Sequence, residues 1–331
     1  MTYSPGGLIQ AADYNGFVND SANNINAIWS TGSGDKGWGQ TAISTVSAGG
    51  TVTATQWATL VANLATAGQQ TSTTLTSRTQ PVAGDLITLL TAVGTDIGSV
   101  TVNRGSAAGS GTTIGAFSGT TAKTSATGSG TAAWTITFTH TITFASANAA
   151  RYFFNAGGLV KIMFGKSSTG TDHDADWNTL AGQCGSIFIG SYANSAATTI
   201  AGQSYNGTTR IGGSGGTQTT LAGSTGFYQL TTSPATIFQL NNTTTPYTPE
   251  FIRVNASINA GGTVITLTTT WVDDGSSGAG VSSNISGGTD TASPATSITG
   301  TAPTTLVNLV PPSTTYLTNS WGTPTIAASV A

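Results

Sequence analysis

The residues whose spacing best suits chemistry are three aspartates. Asp172, Asp174 and Asp176 have the one-three-five spacing of a calcium loop, and His173 adds a possible nitrogen donor. The rest of such a loop is missing: Trp177 stands where the sharp-turn glycine belongs, and Gln183 where the bidentate glutamate should close the cage. Residues 172–180 therefore read as a short helix whose acids sit at the favourable end of its dipole, with Trp177 and Leu180 on one face. No metal site is expected, and these three carboxylates are the candidates if one exists. His140 falls on the apolar side of an alternating run and reads as a hydrogen-bonded core or interface residue. Glu250 is the single glutamate and has no acidic neighbour in sequence with which to work as a glycosidase pair. Serines are plentiful, but neither histidine stands in a nucleophile-base context. The glycines around Ser214 lack the Lys-Ser or Lys-Thr tail of a phosphate loop. No catalytic residue and no cofactor is expected.

Behind the scarcity of sites lies a scarcity of charge. Only 6% of residues are charged, about a quarter of the usual share. The five arginines and four lysines are scattered, so no basic stripe for nucleic acid is expected. A net charge of -3 with 37% hydrophobic residues does not describe a disordered chain. Weak self-repulsion favours packing against other copies. Cys184 stands alone, which excludes an intrachain disulfide and makes it a small buried hydrophobe. No apolar run approaches the roughly 18 residues of a membrane helix, and the first residues do not have the pattern of an export signal.

The elements that would carry these residues change character near residue 105. Before it, Tyr14, Phe17, Val18, Ala22, Ile25, Ile28 and Trp29 recur at helical spacing and predict a helix over residues 11–29. A second helix is expected around Trp57, Leu60, Val61 and Leu64, stopped near Gly68, and a third opens at Asp85 and runs through Leu86 to Val93. Residues 105–131 are almost all Gly, Ser, Ala and Thr and read as a connector or loosely held edge segment. From Trp134 the period becomes two, with apolar residues to Phe144 alternating with threonines. Further strands are expected at 159–164, 186–189, 227–230, 237–240, 251–258, 263–272 and 306–310. Residues 147–158 read as a short helix closed by glycines. The fold class is thus α+β: a helical docking region at 1–104, a connector at 105–131, and a mainly antiparallel β-sandwich at 132–331.

Several segments resemble a group of virion structural proteins of tailed phages, found especially in large contractile-tailed phages. They are the opening Tyr3-Ser4-Pro5-Gly6-Gly7 through Asn15, the glycine-rich Gly32-Ser33-Gly34-Asp35-Lys36-Gly37-Trp38-Gly39-Gln40, and Thr53-Ala54-Thr55-Gln56-Trp57. They continue with Ala150-Arg151-Tyr152-Phe153-Phe154-Asn155-Ala156-Gly157-Gly158, Trp271-Val272-Asp273-Asp274 and Pro311-Pro312-Ser313-Thr314-Thr315-Tyr316-Leu317. The resemblance implies a non-enzymatic subunit repeated in a fibre, collar or neck, tail or capsid decoration of the particle. It also implies partners: copies of the chain itself, a trimer by analogy with fibres, and other virion proteins. Phe17, Trp29, Trp38 and Trp57 are the expected assembly interface. The alternative is an adhesin or carbohydrate-binding module contacting host surface glycan, with Tyr205, Trp271 or Trp321 stacking on sugar rings.

Overall fold

The computed structural model describes residues 10–20, 23–79, 82, 90–107, 119–122, 134–166, 172–191, 198–200, 203–205, 207–243, 248, 250–273 and 303–331. The expected helix over 11–29 is divided. Helix α1 (Ala11–Asn15) passes into a π-helical turn at Gly16–Asp20, and α2 (Ile25–Trp29) starts afresh under Asn24, whose side chain accepts from the Ala27 amide. A capping asparagine competes with a continuing helix for the same amides, and here it wins. Helix α3 (Ala54–Gln70) begins with a reciprocal capping box between Thr53 and Gln56 and buries Trp57, Leu60, Val61 and Leu64. Helix α4 (Leu90–Asn103) follows; the expected start at Asp85 lies outside the described residues. α5 (Ala147–Asn155) and α6 (Asp172–Cys184) lie within the strand-rich part. Among the described residues no helix is long and apolar enough to cross a membrane.

Two antiparallel sheets form the rest. The six-stranded sheet runs in the order β13 (Thr325–Val330), β2 (Trp134–Thr143), β11 (Val264–Asp273), β10 (Phe251–Ile258), β9 (Ala235–Asn241), β8 (Thr217–Leu221). The five-stranded sheet runs β1 (Gly119–Ala122), β12 (Thr304–Val310), β3 (Leu159–Gly165), β4 (Ser186–Ile189), β7 (Thr208–Ile211). β5 (Thr198–Ile200) and β6 (Gln203–Tyr205) make a separate two-stranded ribbon. The sheets meet through their apolar faces: Phe164 of β3 stacks on Phe238 of β9 at 6.1 Å, and Trp271 of β11 donates its indole N–H to Thr305 of β12 at 3.3 Å. β2 and β11 bear out the period-two reading, with alternate residues buried along both. Phe227–Gln229, expected as a strand, is a 3-10 turn in which Phe227 stacks on Phe154 at 4.5 Å.

One connected apolar core runs from Tyr14, Phe17 and Trp57 through Trp38, Phe153 and Phe154 to Ile162, Phe238 and Trp271, so the N-terminal helices and the sandwich share an interior. This overturns the expected assembly surface. Phe17, Trp38 and Trp57 are each 1% exposed and Trp29 8%, because the short helices have too little of their own to pack on and turn these rings inward. The sugar-stacking expectation is corrected in the same way. Trp271 and Trp321 are 0% and 2% exposed, so neither is an exposed ring for a sugar to stack on, while the side chain of Tyr205 lies outside the described residues.

Candidate functional site

The arrangement that stands out is a knot joining three segments far apart in sequence. Its base is the loop after α2, folded back so that the amides of Trp38, Gly39 and Gln40 donate to the carbonyls of Ile28, Ser30 and Trp29. Gly37 makes this possible: its φ is +101°, and a Cβ there would stand 2.1 Å from the Thr31 carbonyl oxygen. The loop is then gripped by α5. Trp38 donates its indole N–H to the Asn155 carbonyl at 2.9 Å, and the Asn155 side-chain amide donates to the carbonyls of Gly34 and Gly37, both at 3.2 Å. Arg151 donates to the carbonyls of Gly34 and Lys36. Tyr228, on the 3-10 turn, places its hydroxyl 2.8 Å from Asn155 Oδ1 and 2.6 Å from the Gly34 carbonyl. Burial pushes the Tyr228 phenol up to about 12, partly offset by its bond to Asn155.

The third segment comes from beyond the last turn of β12. Gln40 donates to the Thr318 carbonyl at 3.0 Å and accepts from the Thr318 amide at 2.9 Å, while Ser320 donates to the Trp38 carbonyl. A side-chain amide paired this way imitates a peptide group in a β-ladder. The same device holds the extended stretch after Gln40 onto the helices. Asn26 exchanges paired bonds with the main chain of Ile43 at 2.8 and 2.9 Å, and Asn15 with that of Val46, both at 2.8 Å. Trp29 donates to the Thr41 carbonyl, and the Tyr14 hydroxyl lies between the carbonyls of Ser44 and Gln56. Burial raises the Tyr14 phenol above its ordinary value.

Two open clefts flank the knot. One of about 370 Å³ lies between the extended stretch and α3, lined by Tyr14, Trp29, Gln40, Gln56, Thr59 and Asn63 among others. The other, of about 620 Å³, lies beside β13 and is walled by Pro311, Pro312, Asn319, Trp321 and Pro324. Neither is lined by a carboxylate, imidazole, thiol or cation, so both suit uncharged surfaces and neither assembles acid-base chemistry.

The ionisable groups are placed elsewhere and serve the fold. Asp96 accepts from the Thr76 amide and pairs with Arg78, and Arg104 pairs with Asp35. Lys161 is buried on the outer face of β3 with its ammonium 5.7 Å from the Phe188 ring centre, and burial lowers its pKa. Cys184 is buried, and burial raises its thiol pKa. His140 faces the core of β2, opposite Leu267 and Ala328. Asp172, Asp174 and Asp176 lie on the helical backbone of α6 rather than on a loop, and the side chains of Asp172 and Asp174 lie outside the described residues. Among the described residues no three His, Cys, Asp or Glu side chains converge on a metal position.

The residues that do most at the knot, Asn15, Asn26, Gln40, Asn155, Tyr228 and Thr318, were not singled out by sequence reasoning. The one available signal was asparagine inside apolar helical stripes, at 15 and 26, where a solvated polar residue is out of place. Comparisons with protein-family models, with curated proteins and with solved structures each found no match.

Proposed function

We propose that the chain is a non-enzymatic structural subunit of a tailed-phage particle, repeated in a fibre, collar, tail or capsid-decorating assembly alongside other virion proteins. The observation that carries the reading is the knot. The glycine-rich segment at 32–40 and the Ala150–Gly158 segment, both part of the resemblance to virion proteins, bond directly to each other, and the Pro311–Leu317 segment leads into Thr318 and Ser320, which close it. Thr53–Trp57 caps α3 and sends Trp57 against Tyr14, at 5.5 Å between ring centres. The resemblance therefore falls on the framework of the fold.

Two further observations support the reading. The N-terminal helices share a core with the sandwich, which suits a part that bears load rather than one that opens around a substrate. A chain in which only 6% of residues are charged associates through neutral contacts and main-chain groups rather than through steered charge. Quantitative mass spectrometry of purified phage particles tests the proposal. The chain is expected in many copies per particle, at a fixed ratio to the major capsid protein; its absence from particles of a phage that encodes it would overturn the reading.

A further inference from the structure

Asn15 ends α1 and is followed by Gly16, and the sequence holds one other Asn-Gly step, at 206–207. Asparagine before glycine is the pair in which the main chain most readily attacks its own side chain, because glycine leaves its nitrogen unshielded and the backbone free to turn. Asn15 is needed where it stands, since its side-chain amide exchanges both bonds with the main chain of Val46 at 2.8 Å. Gly16 is not. Its φ of −57° is ordinary helix, and a Cβ placed there would meet nothing within 4 Å. A chemically labile pair therefore sits at a clamp that uses its first member alone.

We propose that Asn15 is a deamidation site that the fold holds closed, and that its conversion in the opened chain prevents refolding. In the reaction the Gly16 nitrogen attacks Asn15 Cγ and gives up its proton. The new N–C bond forms as the Cγ–Nδ2 bond breaks, and ammonia leaves carrying that proton. Water then opens the cyclic imide at one of its two carbonyls, which leaves aspartate or isoaspartate at position 15. The step needs water and no oxidant or reductant.

The folded chain opposes each requirement of that attack. The Gly16 nitrogen must swing round to the Asn15 side chain, away from the helical torsions that α1 imposes. Its N–H donates to the Ala12 carbonyl, which holds the proton in place. The two Val46 bonds pin Cγ against the extended stretch. Because α1 is five residues long, its helicity comes from packing, so opening of the N-terminal region removes all three restraints together. After conversion the clamp cannot re-form: a carboxylate still accepts from the Val46 amide but has no hydrogen to donate to the Val46 carbonyl, which is left without its partner. Isoaspartate also lengthens the main chain by one carbon and breaks the helical register. The inference uses the fold of the single chain and is independent of the reading as a virion subunit.

Peptide mapping of the full chain by mass spectrometry tests it. The chain is held at mildly alkaline pH, either folded or in concentrated urea, and the peptide carrying residues 15–16 is followed for the mass gain of amide-to-acid conversion. Conversion of Asn15 in the folded chain is expected to be at least about tenfold slower than in urea, since it waits on opening of α1. In the urea sample the peptide carrying residues 206–207 verifies that the conditions cyclise Asn-Gly. When urea is removed, chains converted at 15 are expected to be depleted from the refolded fraction. Equal rates in the two states, or converted chains that refold to the wild-type denaturant midpoint, would overturn the proposal. A variant separates the chemistry from the folding. Gly16→Ala suits the helical φ and the open space, so it should keep the wild-type midpoint when fresh and retain its refolding yield longer as time in urea is extended. A variant that loses yield as fast as the wild type would show that conversion at Asn15 is not what blocks refolding.

Discussion

The N-terminal region and the sandwich solve the same problem by different means. In the sandwich, main-chain groups satisfy one another in ladders, and the side chains need only alternate between apolar and threonine, as β2 and β11 do along their whole length. In the region up to Gln40 and the extended stretch after it, regular elements are short, and the main chain is satisfied by the amides of Asn15, Asn26, Gln40 and Asn155. A ladder spreads its stability over many equivalent bonds, whereas a knot concentrates it in a few side chains. Single polar substitutions should therefore be severe in one region and mild in the other.

The largest effect is expected at Trp38. Trp38→Ala empties a fully buried position and leaves the Asn155 carbonyl without its donor, and should cost about 4 kcal/mol, read as a fall in the denaturant midpoint. Asn155→Leu keeps the branching of the side chain but strands the Gly37 carbonyl and takes one partner each from the Gly34 carbonyl and the Tyr228 hydroxyl; about 2 kcal/mol is expected from the same measurement. A loss below ~1 kcal/mol would break the contrast between knot and ladder.

Alkaline titration sharpens it. Tyr228 holds its proton to about 12 in the fold and to near 10.0 when unfolded. Between those values the unfolded chain binds fewer protons, so stability falls as pH rises through that window. Tyr228→Phe should flatten this part of the curve. The smallest effect belongs to the ladder. Thr268→Val, on the hydroxyl-bearing face of β11 opposite Thr139 and Asn255, should shift stability by less than ~0.5 kcal/mol.

The same difference decides what could be read from the sequence. The strict alternation from Trp134 to Phe144 carries its own register, and the class, an α+β chain with an antiparallel sandwich, follows from such runs. Short elements without apolar alternation carried no such signal: β8 is Thr-Gln-Thr-Thr-Leu and β13 is Thr-Ile-Ala-Ala-Ser-Val. Phe227 to Leu230 looked like a strand because four residues cannot distinguish a strand's period from a turn packed by one ring. The knot was hidden for another reason. An asparagine that bonds to a carbonyl 121 positions away, as Asn155 does to Gly34, looks in sequence like any turn-forming asparagine. The buried aromatics misled in the opposite direction, since apolar residues on weak helices are equally consistent with an interface and with the chain's own core, and here the sandwich supplies the cover.

The central claim, a structural subunit repeated on a phage particle, meets its most direct test in immunogold electron microscopy of intact particles with antibody raised against this chain. Label at discrete, recurring positions on the collar, tail or capsid is the predicted result. Particles free of label, with the antigen on cell surfaces or in the medium, would contradict it.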